Sequence, residues 1–395
     1  MTPDRLGPRS LNRATLARQL LLRRSAMTPR RAIAQLAGLQ AQAPLAPYVG
    51  LWTRLASFGP HHLKDLLTER AAVRAHLMRN TVHLVTAEDF VSFRALFQPL
   101  MERGLAGNFG RNLGGVDLAE RTEVAAGLLA PRALTRAQLA GRLAPRWPGH
   151  DPASLAYAAT HLLHLVQVPP RGLWGEKPSQ ATFFLAAAWL DGPEMDRPEM
   201  DTALTPVTPP DPARALEQLV LRYLAAYGPA SVRDIQTWSG LSRLREVTER
   251  LGTRLRAFTG PEGAPLLDLP DAPRPAADVP APPRFLPEYD NLLLSFAERS
   301  RVIPHGRPVP LPAGHGATAG TLLVHGFWQA NWKVTKAPDR AALHIVPFRP
   351  FGPAEADAVA AEGSRLLEFA APAAAHDVRV LAAGNDTDAR DRSGS

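Results

Sequence analysis

Apolar residues recur at helical spacing in short blocks, and one order of blocks repeats along the chain. Residues 11–23 set leucine and alanine on one face with arginines between them. Thr28-Pro29 then offers an N-cap with proline at the first helical position, opening an amphipathic stretch over 30–39. A second copy runs over 123–129, restarts as a capped helix at Thr135, and continues as a third helix over 153–165. In a third copy, 215–227 is followed by the turn Gly228-Pro229-Ala230-Ser231, a helix over 232–239, and a stretch over 241–258 that carries the third helix and beyond. Helix, Thr- or Ser-capped helix, longer helix is the order of a helix-turn-helix.

Strand-like segments follow two of the copies. Residues 73–85 are β-prone and predict a hairpin bending near Arg79-Asn80, and 165–175 reads as a strand, a turn and a return strand. Three tandem winged helices are therefore expected, over 10–95, 96–190 and 211–270. Residues 191–211 are rich in Pro, Asp and Thr and predict an exposed linker. Residues 261–283 are richer still in proline, with 266–269 as a wing strand inside them. Helical period then fades. Short β-prone runs at 284–295, 301–304, 320–324, 331–334 and 342–348 predict a small C-terminal β-barrel or sheet domain over 280–380. An alanine-rich helix over 353–369 closes it, and 385–395 reads as a disordered tail. The fold class expected is α+β, mainly α.

Composition narrows the chemistry. With 395 residues, 45% hydrophobic and 21% charged, the chain is an ordinary globular mixture of several modules. It has no cysteine, which excludes disulfides, thiolate-held metals and thiol nucleophiles. No apolar run is long enough to span a bilayer and Met1-Thr-Pro-Asp-Arg-Leu-Gly lacks an apolar signal core, so a cytoplasmic monomer with no membrane partner is expected. Lysine and arginine total 45 against 37 acids, a net charge of +8, and the only lysines are Lys64, Lys177, Lys333 and Lys336. Such arginine excess suits a phosphate backbone, although high-GC coding produces the same bias. No metal or cofactor is expected: His61 and His62 point apart, His161 and His164 lack a third ligand motif, and 110–115 lacks the flanks of a phosphate loop.

The most unusual string is Gly38-Leu39-Gln40-Ala41-Gln42-Ala43-Pro44. Two glutamines two apart, past a helix and before a proline, point the same way if the backbone is extended. A carboxamide donates and accepts at once, so a pair can hold one water. The alternative is a polar helix terminus beside a surface residue.

This string resembles the paired-glutamine motif of the AlkZ-like DNA glycosylases. The segments 47–54, 78–85, 286–295 and 320–326 resemble that family in the same order, so the likeness runs from about residue 10 to 370. It implies three winged helices, a C-terminal β domain, and Gln40 and Gln42 as catalytic residues. Gln42 stands where the related bacterial branch carries aspartate, which favours a positioned water over a strong general base. Two positions depart from the pattern: Phe296 follows Ser295 where a histidine is expected, and His325 precedes Gly326 where an acid is expected. Both bear on substrate range.

An N7-alkylated guanine is already cationic and leaves with little acid catalysis, so positioning a water suffices in principle. With no lysine near the motif, Lys64 being closest in sequence, Schiff-base chemistry is not expected. The reading is a monofunctional glycosylase acting on double-stranded DNA with alkylated or crosslinked bases. Arg79, Thr81 and His83 would share one face of a strand and touch the DNA backbone, or form an ordinary wing. Tyr289, Asp290 and Asn291 would form a pocket lip, with Arg299 and Arg301 clamping phosphates; a capped turn is the plainer account. A non-catalytic winged-helix regulator is the competing class, and a DNA-bridging protein a weaker one.

Overall fold

The computed structural model describes residues 4–190, 211–309 and 319–383. The expected tail lies outside these residues, as does the expected linker except for Asp211, which caps the helix Pro212–Tyr227. Helices predominate over strands in a mixed α+β chain.

The first segment holds the helices Pro8–Arg18, Pro29–Gln35, Ala46–Trp52 and Pro60–Thr68, each with proline in its first two positions, where a missing N–H costs nothing. Thr28 caps the second, as expected. The hairpin of Ala72–His76 and Val82–Thr86 follows, and it bends at Met78–Asn80 with Arg79 and Asn80 at φ 53° and 55°. The bend removes Arg79 from any strand face shared with His83, which corrects the alternation expected across Arg79, Thr81 and His83.

The second segment carries Leu118–Leu129, Arg136–Leu143 and Pro152–Leu162, with Thr135 and Gln138 forming a reciprocal capping box. Its strand Leu165–Val168 returns as Thr182–Leu185, not at 173–175 as expected. The intervening residues are apolar for another reason. Leu173 is buried in the first segment's core, and the Trp174 ring lies 5.1 Å from that of Tyr48. The two hairpins merge through Arg74 opposite Gln167 into a six-stranded sheet. The two-residue strand Leu39–Gln40 forms one edge, pairing antiparallel with Val82–Thr86.

The third segment has Pro212–Tyr227, Val232–Ser239, Leu244–Leu251 and a hairpin of Arg256–Thr259 with Pro265–Asp268. Ser231 and Asp234 cap each other as the sequence suggests. Within 241–258 the third helix runs over Leu244–Leu251 and stops where Gly252 takes a positive φ of 48°, and the chain turns into a strand.

The C-terminal segment is an open five-stranded sheet, not a closed barrel. Its order is Ala375–Val380, Arg340–Pro347, Phe327–Lys336, Gly320–Val324, Arg284–Leu286. The helix Pro353–Ala370 crosses over to the parallel strand Ala375–Val380, which sequence period did not reveal. The run expected over 301–304 is a turn, and Asp290 caps a helical turn at Asn291–Leu293.

One apolar core runs through all four segments, with Leu16, Val166, Tyr223, Trp238, Phe296 and Trp328 among its members. Buried polar ties reinforce it. Arg18 pairs with both carboxylate oxygens of Asp268 at 2.6 and 2.8 Å, and Asn12 donates to the carbonyls of Arg301 and Gly326.

Candidate active site

The strand holding the first glutamine exists because Leu39 buries its side chain and because Leu39 and Gln40 find partners in Leu84 and His83. Gln40 is buried, and its Oε1 accepts from Arg79 Nη2 at 2.7 Å. The same nitrogen donates to Asn291 Oδ1 at 2.8 Å, and Nη1 donates to the Trp238 carbonyl at 2.6 Å. The left-handed turn at Arg79 therefore sends its side chain inward, against the third and C-terminal segments.

Gln42 lies differently. It is exposed, and its Oε1 accepts from the Val82 backbone N–H at 3.3 Å. The strand ends at Gln40, so the expected extension through Gln42 is not made, and the two carboxamides sit in different surroundings.

Beside Gln40 a narrow crevice is lined by Gln19, Tyr227, Pro287, Asp290 and Asn291, with Arg54 beneath. Arg54 donates to both oxygens of Asp290 at 2.9 Å and also to the carbonyls of Gln19 and Gly50. Asp290 is the one acid among the described lining residues, and Arg54 engages both of its oxygens while the Leu292 N–H donates to Oδ1 at 3.0 Å. Burial raises the Tyr227 hydroxyl to about 12. Burial, with Arg79 nearby, lowers His83 to about 3, and burial lowers Arg79 to about 10. His83 is therefore a neutral ring and Arg79 a cation near neutral pH.

The other expected site residues scatter. Thr81 is half-buried and donates to the Met78 carbonyl. His83 is wholly buried, so it presents no side chain to a duplex. Arg301 is also buried: it donates to the Pro229 carbonyl at 2.7 Å and lies 4.2 Å over the Phe296 ring, which corrects its reading as a phosphate clamp. Arg299 is half-buried, and Tyr289 sits half-buried at φ 62°. Asn291 is buried against Arg79 and the Gly38 carbonyl. Phe296 packs edge-on against Tyr227 inside the core, and His325 meets Glu355 at 3.1 Å; neither lines the crevice.

Arg54 as the partner of Asp290, and Arg79 as an internal donor, were not assigned from sequence. Their acceptors lie 236 and 39 residues away, beyond any local pattern. Among the described residues no three His, Cys, Asp or Glu side chains gather as a metal site requires, and no helix is long and apolar enough to cross a membrane.

This architecture is shared with a solved structure. The solved structure of Streptomyces sahachiroi DNA glycosylase AlkZ is similar with a TM-score of 0.72, covering 95% of this chain and 100% of that one. At 20% identity the likeness speaks to the fold alone. The family model of the AlkZ-like DNA glycosylases matches residues 33–369, so the chain belongs to that family of DNA glycosylases. No curated protein matches it in sequence.

Proposed function

We propose that this glycosylase is monofunctional and hydrolyses the N-glycosidic bond of cationic alkylated bases, N7-alkylguanine above all, including those in interstrand crosslinks. The three helix–hairpin segments are read as winged helices that seat duplex DNA. Thr81, Tyr289 and Arg299, which keep part of their surface open, are assigned the contacts with it. Arg79, His83, Asn291 and Arg301 support those contacts from within.

The observation that carries the reading is the state of Gln42. Its carboxamide is exposed yet tethered through Oε1 to the Val82 N–H. One oxygen lone pair and two amide hydrogens stay available, enough to hold a water against an anomeric carbon. Gln40, clamped by Arg79, fixes the end of the strand Leu39–Gln40 from which the chain runs on to Gln42. Among the described crevice residues the one carboxylate, Asp290, is held by Arg54, and His83 is buried within the strand Val82–Thr86. Such a site suits a leaving group that already carries positive charge.

The test is release of N7-methylguanine from alkylated duplex DNA, run beside a crosslink-unhooking gel. Release supports the reading. Tight duplex binding without release of any alkylated base would favour a non-catalytic DNA-binding role.

A further inference from the structure

Arg74, in the middle of the strand Ala72–His76, is 2% exposed. Its guanidinium meets carbonyls: Nη2 donates to Ala41 O at 3.0 Å and Nη1 to Arg171 O at 3.1 Å, while Nε is buried without a hydrogen-bond partner. A buried cation satisfied only by neutral acceptors is costly to keep. Burial accordingly lowers its pKa to about 10.

What Arg74 does to the ladder is specific. Leu39 and Gln40 pair with Leu84 and His83, so Ala41 falls opposite Val82. There an antiparallel pair exchanges two N–H···O bonds. One is present, from Ala41 N to Val82 O at 2.7 Å. The returning bond is not made, because the Ala41 carbonyl faces Arg74 and the Val82 N–H donates to Gln42 Oε1 instead.

We propose that Arg74 is a positioning residue for Gln42: by drawing the Ala41 carbonyl out of the ladder, it frees the Val82 N–H to aim the Gln42 carboxamide. The second segment's loop holds Arg74 in place. Tyr48 Oη donates to the Gly172 carbonyl at 3.0 Å and accepts from the Trp174 N–H at 3.1 Å, pinning the loop that carries the Arg171 carbonyl. Gly172 has φ +89°, and a Cβ there would stand 2.9 Å from Arg74 Nη1, so the guanidinium packs directly on its backbone. The two hairpins thus cooperate in setting one side chain.

This inference rests on the proposed role of Gln42, and a double-mutant cycle separates the two. Single-turnover release of N7-methylguanine and duplex affinity are measured for Gln42→Ala, Arg74→Met and the double variant, with thermal melting as a folding control. Without Arg74 the Ala41 carbonyl returns to Val82 and displaces Gln42, so Arg74→Met should lose about 10²-fold in rate with duplex affinity unchanged. The double variant should be no slower than Gln42→Ala, because Arg74 acts through that residue. If Gln42→Ala retains full rate, the role given to Gln42 falls and the inference with it. If Gln42→Ala is slow but Arg74→Met is not, or if the losses multiply, the inference is overturned and Gln42 keeps its role. Should the methionine variant fail to fold, Arg74→Lys carries the same cycle, since lysine keeps the charge but cannot bridge both carbonyls.

Discussion

Gln40 and Asn291 accept hydrogen bonds from the same nitrogen, Arg79 Nη2, at 2.7 and 2.8 Å, although 251 residues separate them. The paired-glutamine strand and the capped turn of the C-terminal segment are thereby held by one guanidinium. Removing it strands two buried carboxamide oxygens. Arg79→Met should lower folding stability by about 2–3 kcal/mol in urea unfolding, since bonds to a charged donor are worth about 1.5–3 kcal/mol. Base excision should fall with it as Gln40 loses its orientation. Unchanged stability and rate would show that the shared donor is dispensable.

Arg54 and Asp290 make a second buried tie, with both side chains almost completely enclosed. Replacing Arg54 alone by methionine leaves a buried carboxylate uncompensated and should cost about 3–5 kcal/mol. Arg54→Met combined with Asp290→Leu should recover much of that loss. Equal destabilisation by the single and double variants would place the cost in lost packing instead.

Both ties explain how much of the site was legible in sequence. The glutamine string was visible because its spacing and the following proline are local. Caps at Thr28, Thr135 and Ser231 were visible for the same reason, as was the bend at Arg79-Asn80. Left-handed φ at Arg79 was not, and it decides that this side chain turns inward to Gln40 rather than outward to a phosphate. The apolar run at 173–175 shows the converse error. Leu173 and Trp174 carry strand-like chemistry because they pack on the first segment, a tertiary cause that local pattern cannot distinguish from a strand.

Acid should weaken the protein through its histidines. Burial lowers His83 to about 3 and His76 to about 4, both below the unfolded value near 6.5. As pH falls from 7 toward 4 the unfolded chain binds protons that the folded one refuses, so stability falls. Above about pH 7 the effect is absent. The loss should be about 1 kcal/mol per histidine between pH 7 and 5.5. Urea unfolding of wild type and His83→Gln across that range checks it, and identical slopes would remove His83 from the account.

Duplex binding should depend weakly on sequence and strongly on salt. If about six arginines neutralise phosphates, affinity should drop by roughly 10³-fold or more between 50 and 200 mM salt. A flat response in fluorescence anisotropy would argue against a backbone-tracking surface.

Product and lesion choice follow together from the same few side chains. The closest lysine in sequence, Lys64, lies on the helix Pro60–Thr68 and pairs at 3.7 Å with Glu176. The product should be an abasic site in an intact strand, nicked only by alkali or an added lyase. Gln42 should contribute in the transition state more than in the ground state, so Gln42→Ala should lose roughly 10²-fold in excision while duplex affinity stays near wild type. Excision should be confined to bases already cationic, such as N7-alkylguanine and N3-alkyladenine. Uracil and 8-oxoguanine should survive, because their departure needs protonation or anion stabilisation that two carboxamides and a carboxylate held by Arg54 do not supply. Borohydride trapping of a covalent complex, or efficient release of uracil, would overturn this mechanism.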